Sequence, residues 1–265
     1  MQEKVEGILI SKIPFKERNI IGKLLLRNGK VISVLFYGGK GGGPKQKTSL
    51  LEFGYMFKIT LQNLKNKTTE LYSAKDWDII WQHKTIRENH HAFYLMCFFL
   101  EMVKKISISD NLHDEHRLFD KHLEGIFRVL SNALFFLEEA INQKSFYKNS
   151  HLFLFLLKLT QESGIFPVID KCIICNKSFI NLKAIVLSSE QGGFICENCF
   201  QDDSFSNTII PSNKIYEVIN MFFTLKYSNW KKMPDIDPSI PRIILNYLAY
   251  QFHFELRELQ TYSFI

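Results

Sequence analysis

Over the first 75 residues or so, apolar positions fall in short β-branched runs broken by turn formers. "KVEGILISKI" (4–13) and "NIIGKLLLRN" (19–28) are two such runs, and "NGK" at Asn28–Lys30 turns the second straight into "VISVLFY" (31–37). "LLEFGYMFKITLQ" (50–62) and "TTELYSA" (68–74) follow a glycine-rich stretch. Five strand-like segments joined by tight turns predict a small barrel better than an open sheet. Alternation along Ile20–Arg27 sets Lys23 and Arg27 on the same face as Ile21 and Leu25. Such a mixed face suits a barrel with one wet binding surface.

From Asp76 the spacing of apolar residues changes to three and four, and helices are predicted. "DWDIIWQHKTIREN" (76–89) leads into "HHAFYLMCFFLEMVKKI" (90–106), followed by "HDEHRLFDKHLEGIFRVLSNAL" (113–134) and "HLFLFLLKLTQESG" (151–164). Asp76 and Asp78, just ahead of the first helical run, are expected to cap it rather than form a catalytic carboxylate pair. Gly164 and Pro167 end the last of these helices. After a cysteine-bearing insert, "SNKIYEVINMFFTLKY" (212–227) and "IPRIILNYLAYQFHFELREL" (240–259) return to helix, the second with Pro241 near its first turn. The expected architecture is α+β: a barrel domain over 1–75, then a helical domain over 76–265 interrupted by an insert at about 168–204.

The stretch between the third and fourth strand segments, "YGGKGGGPKQK" (37–47), raises the question of phosphate binding. A P-loop needs G-x-x-x-x-G-K-[ST] between strand and helix. Gly38 and Gly43 have the right separation, but Pro44 follows where the lysine should stand, and proline offers neither charge nor N–H. A nucleotide cradle is thereby set aside, leaving a hairpin tip of turn formers or a loop that meets a larger polyanion. Charge bears on that choice. The chain of 265 residues carries a formal charge of +6, yet ten lysines and two arginines face only four glutamates up to Lys65. A basic first quarter joined to a near-neutral remainder points to one domain that meets a polyanion. The longest apolar runs, "AFYLMCFFL" and "LFLFLL", fall well short of the roughly 20 residues of a membrane-spanning helix. The N-terminus lacks a signal-peptide core, so no membrane association and a cytoplasmic location are expected.

The insert holds the strongest chemical pattern. "CIIC" pairs Cys172 with Cys175 and "CENC" pairs Cys196 with Cys199, a spacing that turns two thiolates from each pair toward one tetrahedral ion. Asn176 suits the turn after the first pair, and Gly192-Gly193 the approach to the second. Disulfides are disfavoured in a reducing cytosol, and a redox C-x-x-C does not need a duplicate. Structural Zn2+ is therefore expected, and a closed four-cysteine set leaves no open position for catalysis. Cys97, in an apolar helical run, is expected to be a core thiol. His113, His116 and Asp120 could share a helix face, but histidines in a charged helix are ordinarily solvated. Neither H-E-x-x-H nor G-x-S-x-G occurs, and nothing in the sequence nominates an enzyme.

A basic barrel, helices, a four-cysteine insert and more helices, in that order, resemble the RecO family of bacterial DNA repair and recombination mediators. The residues that carry the resemblance are "VEGILISKIPFKERNIIGKLLLRNGKVISVLFYGGKGGGPK", where Val5-Glu6-Gly7 opens the first strand, and "CIICNKSF…LSSEQGGFICENC" around the two cysteine pairs. The resemblance implies an N-terminal OB-fold and a zinc-bearing helical domain. It further implies binding of single- and double-stranded DNA, annealing of complementary strands, and action with RecR in helping RecA replace single-strand-binding protein (SSB). The acidic, Phe-ending tail of SSB is an implied ligand, and participation of RecF is left open. The family's loop is often rich in arginine, whereas this one has Lys40, Lys45 and Lys47, point charges without the bidentate fork.

On an OB-fold the candidate DNA contacts are Arg18, Lys23, Lys40, Lys45 and Lys47, with Phe15 and Tyr37 as stacking platforms or, alternatively, barrel core positions. The Phe-rich helices, with Arg242 or Arg257, are the expected place for the SSB tail. Two competing readings remain: a non-catalytic RNA-binding protein with the same barrel and zinc module, and a zinc-dependent hydrolase, for which no general base can be named.

Overall fold

The computed structural model describes residues 2–39, 51–63, 71–110, 121–180, 182–200, 209–211, 213–223 and 234–265. The chain forms two compact units, Met1–Asn142 with Thr261–Ile265, and Gln143–Gln260.

In the first unit, β1 (Gln2–Phe15), β2 (Asn19–Leu26), β3 (Val31–Phe36), β4 (Met56–Asn63) and β5 (Leu71–Trp81) close into a barrel of order β1-β2-β3-β5-β4. β4 returns to pair with β1, and β3 runs parallel to β5 while the other neighbours are antiparallel. This is the five-stranded Greek-key closure of an OB-fold, as expected. Leu9, Leu24, Val34, Phe36, Phe57 and Ile59 fill its interior. Gly22 is required there: a Cβ would lie 2.8 Å from Leu9 Cδ1 and 3.0 Å from Phe36 Cε2.

One expectation fails at the barrel's end. Asp76 and Asp78 lie within β5 and cap no helix, so the strand carries the barrel to Trp81, past residue 75. The physical reason is a period of two: Asp76, Asp78 and Ile80 are exposed, while Trp77 and Ile79 pack against the core. Helix begins only with α1 (Thr85–Glu88), continues as α2 (His90–Asp110) and resumes as α3 (Lys121–Asn142). The α1 N-terminus is capped from α3, since the Glu138 carboxylate accepts the N–H groups of Lys84, Thr85 and Ile86 at 3.0, 3.0 and 2.9 Å. α2 packs on β1. The last residues also belong to this unit: Thr261 donates its N–H to Glu101 of α2 at 2.9 Å, and Phe264 stacks on Tyr94.

The second unit contains α4 (Lys148–Glu162), a sheet of order β7-β6-β8 built from β6 (Ala184–Ser188), β7 (Gly193–Cys196) and β8 (Ile209–Pro211), then α5 (Asn213–Phe223) and α6 (Ser239–Gln251). α4 is buried along most of its length and packs on α5 and α6, with Phe153 edge-on to Phe222. Tyr247 of α6 donates its hydroxyl to the Ile165 carbonyl at 2.8 Å. Among the described residues, no helix is long and apolar enough to cross a membrane.

Candidate metal centre and nucleic-acid interface

The first cysteine pair sits in a tight turn. Asn176 N–H returns to the Cys172 carbonyl at 2.9 Å, Cys172 N–H reaches the Lys177 carbonyl at 2.9 Å, and Asn176 adopts the left-handed conformation with φ +59°. The second pair closes the end of β7, where the N–H groups of Cys199 and Phe200 both point at the Cys196 carbonyl at 3.1 Å. β7 can come this close to the first turn because position 193 is glycine. A Cβ there would lie 2.6 Å from Ile173 Cγ2 and 2.9 Å from Val168 Cβ.

The turns bring four sulfurs together, those of Cys172, Cys175, Cys196 and Cys199, all within 4.8 Å of one another. Cys175 Sγ and Cys196 Sγ are 3.8 Å apart. That is far beyond a disulfide bond, and it matches the edge of about 3.8 Å that a tetrahedron with zinc–sulfur arms of about 2.3 Å would have. The backbone N–H of Cys196 points at Cys172 Sγ at 3.4 Å. Burial raises the Cys172 thiol, but N–H groups of Cys175, Cys196 and Ile174 outweigh it and bring its pKa down to about 7. Burial and the neighbouring sulfurs push Cys199 up to about 12. Four thiolates at this range would repel one another, and a divalent cation would neutralise that repulsion and hold them together. The residues fit a tetrahedral thiolate-bound metal.

On the barrel, the register of β1 decides which side chains face outward. Leu9 pairs with Leu24, and both point into the core. The next pair is Ser11 with Lys23, so Ile10 is an extra residue in a β-bulge. Beyond the bulge the parity of β1 is reversed. Lys12, opposite Gly22, faces the barrel end and donates from Nζ to the Leu51 carbonyl at 2.6 Å. Ile13, opposite Ile21, and Phe15, opposite Asn19, face out. On the outward parity the strands therefore carry successive rows: Ser11–Lys23–Ser33, then Ile13–Ile21–Leu35, of which Leu35 is buried and Ile13 exposed, then Phe15 and Asn19, with Tyr37 just past the end of β3.

This arrangement answers the question left open for the two aromatics, since neither belongs to the barrel core. Tyr37 is 54% exposed and Phe15 half-exposed, with Lys16 Nζ 5.5 Å from the Phe15 ring centre. Lys23 is half-exposed on the outward row, and Arg18 lies in the exposed turn between β1 and β2. Arg27, on the same outward parity, is engaged elsewhere: it pairs with Glu6 at 2.6 Å and covers the Phe127 ring. Lys40, Lys45 and Lys47 fall outside the described residues, as do His113, His116 and Asp120. The sequence pattern did not single out Ile13 or Lys16 for this face. Simple alternation from Leu9 places Ile13 inside, and only the bulge brings it out.

In the second unit Arg242 is exposed on α6, whereas Arg257 is drawn into an ion pair with Glu255. Cys97 of α2 is half-buried rather than fully enclosed, and burial pushes its thiol up.

Comparison with known proteins adds an independent line. The family model "Recombination protein O C terminal" matches residues 119–257. Among curated proteins, the DNA repair protein RecO of Caldicellulosiruptor saccharolyticus is 22% identical over 199 residues, covering 75% of this chain and 74% of its own. The DNA repair protein RecO of Halalkalibacterium halodurans is 21% identical over 227 residues (84% and 78%), and that of Bacillus pumilus 25% over 210 residues (79% and 73%).

Proposed function

We propose, since the chain belongs to the recombination protein O family, that it is a non-catalytic, DNA-binding mediator of DNA repair and recombination. The observation that supports this most directly is the outward face of the barrel, which carries exposed Tyr37 and Arg18 with partly exposed Phe15 and Lys23. On this reading the cations neutralise backbone phosphates and the rings offer faces to bases, the usual division of labour on an OB surface. The lysines at 40, 45 and 47 add charge to the same domain. Contact through phosphates is indifferent to base sequence, as annealing of arbitrary complementary strands requires. It also serves both single- and double-stranded DNA, and cations between two strands screen the repulsion that opposes their approach.

The four cysteines would hold Zn2+, which when bound supplies a structural cross-link and, with four thiolates, no position for substrate. Cys172 and Cys175 would then fix the turn, and Cys196 and Cys199 the end of β7. Action with RecR in loading RecA onto DNA coated by SSB, and docking of the SSB tail on the helical part with Arg242 as the cation for its carboxylate, complete the proposal. RecF remains outside it. The setting is the cytoplasm, at the nucleoid.

The test is annealing of complementary DNA strands coated with SSB, alongside RNA strands of the same sequence. Faster annealing of DNA supports the reading. Equal or faster annealing of RNA would replace it with the RNA-binding alternative, and metal-dependent strand cleavage would overturn the absence of catalysis. Replacing Lys40, Lys45 and Lys47 by alanine should flatten the dependence of log affinity on log salt by roughly 0.7 per lysine on single strands.

A further inference from the structure

We infer that Ile13 is a base-contacting residue, aimed at the binding face by the β1 bulge, and that it makes this face favour unpaired bases over a duplex. The inference rests on the DNA reading above and adds a determinant of which form of DNA the surface grips.

The backbone supplies the first reason. Up to Leu9, β1 alternates so that Leu9 points into the core and Ile8 outward, opposite Leu25. Ile8, Ile10 and Leu25 are nonetheless buried, Ile8 and Leu25 completely, so this part of the outer face is covered. Without the bulge at Ile10, Ile13 and Phe15 would share Leu9's inward parity. With it, they emerge together on the uncovered surface. A bulge weakens a ladder locally and is used where a side chain must be re-aimed.

The second reason is what the re-aimed residue meets. Ile13 is 56% exposed, more than any other large hydrophobic residue among the described barrel strands. A single exposed isoleucine is ordinary. Here it lies in a row with Ile21 and one row from Phe15, at about 7 Å along the strand. Exposed Lys16 and Arg18 and half-exposed Lys23 lie around this patch, and no acid but Glu17 stands in the turn beside them. An apolar strip rimmed by cations complements a polyanion that also presents flat apolar faces, which is the chemistry of a single strand with unstacked bases. A duplex presents phosphates to the same cations but keeps its base faces stacked and out of reach. An aliphatic side chain makes no directional hydrogen bond to a base, so the contact discriminates strandedness and not sequence.

The experiment compares full-length wild type, Ile13→Thr and Ile13→Trp by fluorescence anisotropy on a labelled oligothymidylate and on a blunt duplex of equal length, each across a range of NaCl. Threonine keeps the β-branch that suits a strand, and an unchanged melting temperature of each variant is checked first. Ile13→Thr should weaken the single strand about fivefold or more, leave the duplex within about twofold, and leave the salt slope on both unchanged, because no phosphate contact is lost. Ile13→Trp, with a larger face, should tighten the single strand only. Equal losses on both probes, an altered slope, or no change in either variant on the single strand would overturn the inference. Should wild type bind neither probe, the DNA reading itself falls. Should wild type bind both while the variants are silent, only the role of Ile13 falls.

Discussion

Glu138 offers a sharp test of how the barrel unit is held together. Its carboxylate accepts three consecutive backbone N–H groups, those of Lys84, Thr85 and Ile86, at 2.9–3.0 Å. These are donors that a short helix such as α1 cannot satisfy internally. Hydrogen bonds to a charged group contribute roughly 1.5–3 kcal/mol each, but three of them share two oxygens that remain partly open to water. We expect Glu138→Ala to cost roughly 2–3 kcal/mol, and Glu138→Gln, which keeps one acceptor oxygen but no charge, about 1 kcal/mol. The pH dependence follows from the carboxyl's own titration. Burial raises its pKa, yet the N–H groups of Thr85, Ile86 and Lys84 win and hold it below the ordinary value of 4.5. A depressed folded-state pKa means that the contribution is fully present above the unfolded value and is lost as pH falls through the folded one. Urea unfolding of wild type and Glu138→Gln should therefore differ by a constant amount from pH 6 to 8, and the gap should close at acid pH. Equal stability at neutral pH, or a gap that persists unchanged in acid, would refute the reasoning.

Two further outcomes concern buried groups. His83 and His151 are both pushed down to about 4, in each case chiefly by burial. The unfolded chain takes up a proton near 6.5 that the folded one refuses until about 4, so stability is lost as pH falls below 6.5. Each histidine should contribute a loss of roughly 2 kcal/mol by pH 5, read as a fall in urea midpoint that His83→Gln and His151→Gln each reduce; a flat profile from pH 7 to 5 would contradict this. Chelation of the metal, or Cys172→Ser, should lower the melting temperature of the second unit, with metal content of the purified protein measured in parallel. Metal-free protein whose melting is unchanged by chelation would remove the structural role.

The four-cysteine centre was legible before any fold was known, because its information is local. Two C-x-x-C turns dictate their own geometry, and Asn176 and the Gly192-Gly193 pair supply the conformations those turns need. The number of barrel strands, and most of the helices, were legible too, since the periods of two and of three to four are properties of consecutive residues. What sequence alone misplaced lies where those periods compete or reset. "DWDIIW" satisfies either period in part. It became strand because β4 offers it a hydrogen-bonding partner from Met56 to Thr60, a contact with nothing local to announce it. The choice between core and surface for Phe15 was likewise beyond the sequence, because one inserted residue at Ile10 reverses the parity of everything after it in β1. Glu138 reaches back more than fifty positions to cap α1, and Thr261–Ile265 returns to α2 from the far end of the chain. The sequence by itself determined most of the strands and helices and the two turns that gather the four thiols, since propensity, periodicity and thiol spacing are written in neighbouring residues. Only the tertiary structure decided which faces look outward and which distant groups complete one another, because register and packing are settled between segments and not within them.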